Sequence, residues 1–355
     1  MFSIDSLLYV SWDVSPNLYE GFITLRYYSL FFALSFILGF ILVKKMYLKE
    51  GAPVEWMDKL LVYAVFGTII GARLGHVLFY EPSYYFQNPL EIVMIWKGGL
   101  ASHGAVIALV VAMYLYSRKV TKKHIFWSLD KLVIAVALAA GFIRMGNLMN
   151  SEIIGMPSEN LSSIFYEYTA KDDLPNSLDN FIIKEEVTFS KTTKSFSKND
   201  FNYPIANLLI PLKENNVLNQ SDSSIANYII KNYSITDSES HFFTDTLSLN
   251  FSYTNRILSI PVLIIPRVPT QLIEALCYWI TFLVLLFGYW KWNWSLYPGR
   301  LFGLFLVMLF TSRIFIEFFK EHQALNEVSM LNMGQFLSIP CVLIGFYFIF
   351  KSKKA

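Results

Sequence analysis

The chain has 355 residues, of which 54% are hydrophobic, 17% aromatic and only 16% charged, with a mean hydropathy of +0.43. Such usage lies outside the soluble globular range and marks a polytopic, all-α membrane protein. A net charge of +2 gives no argument for nucleic acid, and Cys277 and Cys341, both in apolar segments, form neither a disulfide framework nor a metal spacing, so neither metal nor other cofactor is implied.

Asp5, Asp13 and Glu20 near the start, without a basic stretch, argue against a cleavable signal peptide, so the first apolar span is expected to stay in place. A span needs about 20 apolar residues to cross roughly 30 Å. That criterion predicts seven, at about 25–43, 60–80, 99–117, 132–150, 271–290, 300–319 and 331–350. Lys44, Lys45, Lys49 and Lys59 fall between the first two, Arg118, Lys119, Lys122, Lys123 and Lys131 between the third and fourth, Lys291 and Arg300 between the fifth and sixth, and Lys351, Lys353 and Lys354 after the last. The alternate short loops hold little beyond Lys97 and Lys320. By the positive-inside rule the N-terminus is outside and the C-terminus cytoplasmic.

The second span carries Gly67, Gly71 and Gly75, a doubled G-x-x-x-G that lets a neighbouring helix approach closely, together with Arg73 and His76 on one face. Residues 81–98, rich in Pro, Tyr and Trp, suit an interfacial or re-entrant piece, and G-G-L-A-S-H-G then places His103 just inside the third span. The fourth span ends in G-F-I-R-M-G-N-L-M-N-S-E-I-I-G (141–155). If helical throughout, it puts Arg144, Asn147 and Ser151 on one face, flanked by Asn150 and Glu152. Polar groups at such depth mark a functional site or a paired network; the plainer reading is a helix end in the headgroup zone.

From 156 to 265 the composition turns to Ser, Asn, Thr, Asp and Lys, with alternating runs V-T-F-S and L-S-L-N-F-S-Y that have the strand period. Roughly 110 residues suffice for a small core. The expected organisation is therefore spans one to four in 1–155, a β-rich or mixed external head in 156–265, and spans five to seven in 266–355.

With that orientation, Tyr28, His103, Gln271, Glu274, Gln335 and Ser338 lie near the outer ends of inward-running spans. Arg73, His76, Arg144, Asn147, Asn150, Arg313 and Glu317 lie in the outer halves of outward-running ones. Polar groups at one depth suit an enzyme acting on lipid headgroups; a transporter needs them along a path through both leaflets. Arginines at that depth can hold a phosphate in a planar fork. Arg313 and Glu317, at i and i+4, could fix each other, or be only a structural pair. His103 could be a general base, or a helix-to-helix hydrogen bond. No H-E-x-x-H, G-x-S-x-G or P-loop is present.

Several blocks in order then resemble the bacterial prolipoprotein diacylglyceryl transferases: G-A-R-L-G-H-V-L-F-Y (71–80), G-G-L-A-S-H-G (98–104), R-M-G-N-L-M-N-S-E (144–152), P-T-Q-L-I-E (269–274), R-I-F-I-E-F-F-K (313–320) and M-G-Q-F-L-S-I-P (333–340). The resemblance implies an enzyme of the bacterial inner membrane that moves the diacylglyceryl group of phosphatidylglycerol to the lipobox cysteine thiol in the signal peptide of a preprolipoprotein, releasing glycerol phosphate. It also implies seven spans with the N-terminus outside.

Carried over residue by residue, the resemblance makes Tyr28, His103, Arg313 and Glu317 catalytic candidates and Arg144, Gly146, Asn147, Asn150 and Glu152 substrate-binding ones; Arg73 and Gln271 join these. In that reading His103 is the base, Arg144 and Arg313 hold the phosphate, Glu317 fixes Arg313, and Asn147 and Asn150 hold headgroup or backbone. The chain departs from the family pattern at Ala105, Leu148, Val268 and Ile273, none a charged position, and the 156–265 insertion is larger than the family leads one to expect. A phospholipid phosphatase or headgroup transferase, and an anion transporter, are the competing readings.

Overall fold

The structure, a computed structural model, describes residues 9–21, 24–160, 162–198, 201–213, 221–233, 240–320 and 333–354. In chain order the elements are β1 (Val10–Ser11), β2 (Asn17–Tyr19), β3 (Leu25–Arg26), α1 (Tyr27–Lys49), α2 (Glu55–Phe79), α3 (Pro82–Gln87), α4 (Ser102–Tyr116) and α5 (Ile125–Met149). There follow β4 (Ile164–Phe165), α6 (Glu167–Asp172), β5 (Thr188–Lys198), β6 (Phe201–Pro211), α7 (Ser221–Asn232), β7 (Phe242–Phe243), β8 (Ser252–Thr254) and β9 (Ile257–Ile264). The last helices are α8 (Thr270–Trp290), α9 (Arg300–Glu317) and α10 (Met333–Lys351).

Among the described residues six helices are long and apolar enough to cross a membrane: α1, α2, α4 with its continuation to Thr121, α5, α8 and α10. The chain is a multi-pass membrane protein. The remaining expected span, α9, has 18 residues, about 27 Å at helical rise, but carries Arg300, Arg313 and Glu317 and so falls outside the six. Residues 331 and 332 of the last expected span lie outside the described residues.

Several helices outrun their apolar stretches. Lys44, Lys45 and Lys49 lie in the closing turns of α1 and not in a loop, since long basic stems can run along a helix and keep their charge at the interface. Lys131 is likewise inside α5 and only 2% exposed, with Nζ 3.0 Å from Glu50 and donating to the Trp127 carbonyl at 2.8 Å. A buried ammonium persists because it is paired.

The chain divides into two compact units. The first comprises 1–32, 142–276 and 313–336. Its sheet runs β5-β6-β9-β7 with β8 also on β9, all pairs antiparallel. Along β6, Pro204, Ala206, Leu208 and Ile210 are buried and alternate with more open neighbours. They meet Leu258, Ile260 and Val262 of β9 and Ile225, Ala226 and Ile229 of α7 in one apolar core. The expected strand in V-T-F-S is β5, but L-S-L-N-F-S-Y is only partly extended. Thr246–Asn250 is a short 3-10 helix closed by a capping box between Asp245 and Ser248, and only Ser252–Thr254 is strand. The N-terminal segment belongs to the same unit: β1 pairs in parallel with β4, and the Tyr9 ring stands edge-on to Phe165.

The second unit comprises 33–141, 277–312 and 337–355. Its α2 and α4 meet through small residues. A β-carbon on Gly71 would lie 2.2 Å from that of Ala108, and one on Gly75 would lie 2.7 Å from the Gly104 α-carbon. The doubled G-x-x-x-G does bring a neighbouring helix to backbone contact. A second close approach, of Gly303 in α9 to Gly345 in α10, was not signalled by any spaced motif. The buried Asp130 carboxylate accepts from the backbone N–H groups of Gly299 (2.7 Å) and Phe302 (2.8 Å), capping α9 where its dipole favours negative charge.

Candidate active site

In the first unit, α5 ends at Met149, and the chain turns through left-handed conformations at Ser151 (φ 53°) and Ile153 (φ 59°). Ser151 therefore does not continue the face of Arg144 and Asn147, as a helix running on to 152 would require. The turn sends the Glu152 side chain back towards the helix end, where Oε1 accepts from Asn147 Nδ2 at 2.6 Å and from Asn150 Nδ2 at 3.4 Å. Asn150 Oδ1 and Ser151 Oγ are enclosed and have no hydrogen-bond partner among the described residues.

The turn is held by its surroundings. Gln271, fully buried in α8, donates to the Glu152 carbonyl at 2.8 Å and accepts from the Tyr166 hydroxyl at 3.0 Å. Thr270 Oγ1 donates to the Ile153 carbonyl at 3.0 Å. Gly155 sits where nothing larger fits, since a β-carbon there would lie 2.4 Å from the Val268 carbonyl oxygen and 2.9 Å from that of Phe319. Arg267, 1% exposed, donates to the carbonyls of Gly155 (3.2 Å) and Ser240 (2.9 Å). Tyr28, in the first turn of α1, packs its ring on Gly146; a β-carbon there would be 2.7 Å from the ring.

Four charges of this unit form a chain of alternating sign. Arg144 Nη1 donates to Asn147 Oδ1 at 3.1 Å, and its Nε lies 2.8 Å from Oε2 of Glu274, which is wholly buried. Lys320 Nζ reaches Glu274 Oε1 at 3.0 Å and Glu317 Oε2 at 3.2 Å. Arg313 and Glu317, expected to hold each other, do not: Glu317 is taken by Lys320, and Arg313 has neither ion pair nor hydrogen bond among the described residues. The sequence places Glu274 at the depth of the site without giving it a role, and residue type alone does not single out Lys320. Lys320 looked like a loop cation, and only the fold brings it beside two acids.

The second unit holds a smaller group. Arg73, 3% exposed, donates to the backbone carbonyls of Ile92 (2.9 Å), Gly98 (2.5 Å), Gly99 (3.1 Å) and Glu91, with its guanidinium over the Tyr85 ring. It thereby folds the 82–99 segment, a row of short helical turns, back onto α2. Phe86, Leu90, Val93 and Trp96 are left exposed there, as suits an interfacial piece. His76 stacks on Tyr80, and the exposed His103 ring lies 5.3 Å from Phe79 and 5.7 Å from Tyr80. The named residues thus fall into two groups: His103 and Arg73 in this unit, the others in the first.

A family model described as prolipoprotein diacylglyceryl transferase matches residues 16–351, nearly the whole chain. The chain belongs to the prolipoprotein diacylglyceryl transferase family. It is similar to three proteins named phosphatidylglycerol–prolipoprotein diacylglyceryl transferase. One, from Chloroherpeton thalassium, is 33% identical over 99% of this chain and 97% of its own length; one, from Porphyromonas gingivalis, is 34% identical over 98% and 95%. The third, from Tolumonas auensis, is 32% identical over 97% of each. Relatives of nearly equal length align almost end to end, so the 156–265 segment is not an enlargement peculiar to this member of the transferase family.

Proposed function

We propose that the chain transfers the diacylglyceryl group of phosphatidylglycerol to the lipobox cysteine of a preprolipoprotein signal peptide, the first step of lipoprotein maturation. The thiolate sulfur attacks the glycerol carbon that bears the phosphate. A C–S bond forms, the C–O bond breaks, and the phosphate leaves still attached to the headgroup glycerol. The names of the relatives support this reaction, and the observation that carries the site is the state of two guanidiniums. Each has five N–H donors. Arg144 donates one hydrogen bond, to Asn147, beside its charge contact with Glu274, and Arg313 has all five donors without a partner among the described residues. Two partly buried cations with unspent donors suit a phosphate dianion developing on the leaving group, where charge stabilisation is commonly the largest catalytic contribution.

The free thiol, with a pKa of about 8.5, is only a few per cent thiolate at neutral pH, so a base raises the rate. In this reading His103 takes the thiol proton. Glu152, Asn147 and Asn150 hold the headgroup glycerol; Tyr28 and Gly146 shape the wall beside it. Gln271 and Arg73 act by holding backbone, the first at the Glu152 turn and the second at the 82–99 segment. Glu317 holds Lys320. The enzyme sits in the bacterial inner membrane with seven spans, α9 being the sixth. Its N-terminus and the 156–265 head lie outside and its C-terminus in the cytoplasm, between membrane portions 1–155 and 266–355.

The test is purified enzyme, headgroup-labelled phosphatidylglycerol and a lipobox peptide. The expected result is a diacylglyceryl mass gain on the cysteine in step with labelled glycerol phosphate, and neither with a Ser peptide. Equal release with the Ser peptide, or free phosphate without modified peptide, would replace this reading with a phosphatase.

A further inference from the structure

The charged chain in the first unit has one acid at its centre, with a cation close to each of its oxygens. Glu274 Oε2 faces Arg144 Nε at 2.8 Å and Oε1 faces Lys320 Nζ at 3.0 Å, with Glu274 wholly enclosed. One negative charge divided between two cations neutralises neither. Removing either cation returns the full field to the other, and burial makes that redistribution larger than at a surface. Lys320 is not free to drift from this position. Its backbone bridges to Gly155, the neighbouring Phe319 carbonyl accepts from Met156 N–H at 2.9 Å, and Glu317 holds its ammonium from a second side.

The same contact has a directional effect. With Nη1 donating to Asn147 and the Nε edge drawn to within 2.8 Å of the Glu274 carboxylate by charge, the Arg144 guanidinium is held on one edge, and its Nη2 donors are left for an oxyanion.

We propose that Glu274 is a positioning residue which, by being shared with Lys320, sets both the direction and the strength with which Arg144 offers its charge to the substrate phosphate. This rests on the phosphate role given to Arg144 above. Glu274 itself does not touch the substrate. Lys320 works as the counter-cation that keeps Glu274 from cancelling Arg144.

The two single substitutions then have opposite signatures. In Lys320→Met, Glu274 is no longer shared with that ammonium and bears more fully on Arg144, so KM for phosphatidylglycerol should rise about tenfold, with a smaller change in kcat. In Glu274→Gln, Arg144 keeps its charge but loses its anchor, so kcat should fall about tenfold with KM little changed. Removing both, in E274Q/K320M, takes away the acid that K320M had unleashed and should bring KM back to within about threefold of wild type.

The experiment measures kcat and KM for phosphatidylglycerol in mixed micelles, with a lipobox peptide at saturation, on wild type and the three variants, and records Tm for each. A merely structural ion pair would lower Tm without raising KM in K320M and restoring it in the double variant. An unchanged KM in folded K320M, a double variant as high in KM as K320M, or an E274Q whose loss lies in KM would each overturn the proposal. Lys320→Arg keeps the shared cation and should stay within about threefold of wild-type KM; it decides the matter if K320M fails to accumulate, because a tenfold rise there refutes charge sharing. Wild-type enzyme that leaves the peptide unmodified would instead refute the reaction itself.

Discussion

Gly71 and Gly104 face each other across α2 and α4 so closely that a β-carbon added to Gly71 would stand 2.5 Å from the Gly104 carbonyl oxygen, and one added to Gly104 would stand 2.3 Å from that of Gly71. Neither oxygen can move without breaking its own helix, so overpacking here falls on backbone. Gly71→Val should lower Tm by an amount equivalent to about 1–3 kcal/mol or more. It should also reduce activity, because Gly104 is next to His103 in the first turn of α4. A Tm scan in detergent checks the first and turnover the second; an unchanged Tm would mean the helices can part at little cost.

Arg313→Lys should lose activity at least about tenfold, because a compact ammonium cannot reproduce a planar fork of donors. Turnover with phosphatidylglycerol, on protein shown to be folded by gel filtration, is the measurement. Full activity would reduce the role of Arg313 to its charge. Lys122→Ala, in the turn after α4, serves as the silent control.

Gly155→Ala should disable the enzyme more than it unfolds it. The new methyl group would push on the Val268 and Phe319 carbonyls, which frame the turn carrying Glu152 and the strand-like step to Lys320. A loss of turnover with a Tm drop of only a few degrees is the expected pairing. Wild-type turnover would show that this frame does not set the site.

Burial raises the pKa of the Tyr166 and Tyr233 hydroxyls to about 12, the Asp173 charge adding to the effect at Tyr233. Both lie in the first unit, outside the helices of membrane-crossing length. In the unfolded chain tyrosine ionises at about 10. A raised folded pKa means that the stability these groups contribute is complete below about pH 10 and is lost as pH rises from about 10 to 12. Tm should therefore fall across that window, and tyrosinate absorbance should appear with unfolding. Tyr166→Phe should flatten part of the slope; an unaltered slope would exclude Tyr166 as its source.

Topology can be read by cysteine labelling in a background lacking Cys277 and Cys341. Ser177→Cys, exposed in the first unit, should react with an impermeant maleimide from outside intact cells, and Lys122→Cys only after permeabilisation. The reverse would overturn the positive-inside assignment.

Apolar runs of span length are the most legible signal in such a chain, and the long helices lie where those runs are, with α1, α2 and α5 longer by several residues. Hydropathy sees where apolar residues stop, while helical hydrogen bonding continues through paired cations such as Lys131. The glycine stripe of α2 was legible for the same local reason, as its spacing alone fixes a narrow face. The turn after Met149 was not, because left-handed Ser151 and Ile153 carry no glycine to announce them. The partners of Glu274 were equally hidden: Arg144 and Lys320 lie far away in sequence, and no local period links them. Arg313 and Glu317 show the limit of spacing arguments, since i and i+4 permit a pair that a nearer lysine takes instead.

The parallel contact between β1 and β4 joins residues 10–11 to residues 164–165. Synthesis therefore delivers one half of this pair long before the other. At about 5–20 residues per second the first strand waits roughly 10–30 s, an interval in which the helices α1, α2, α4 and α5 must all be placed. Tyr9, whose ring closes on Phe165, stays uncovered throughout. A chaperone or lipid surface that shelters a short apolar segment would thus matter most at the very start of this chain, and a bulky fusion there would delay the last packing step of a core encoded more than a hundred residues downstream.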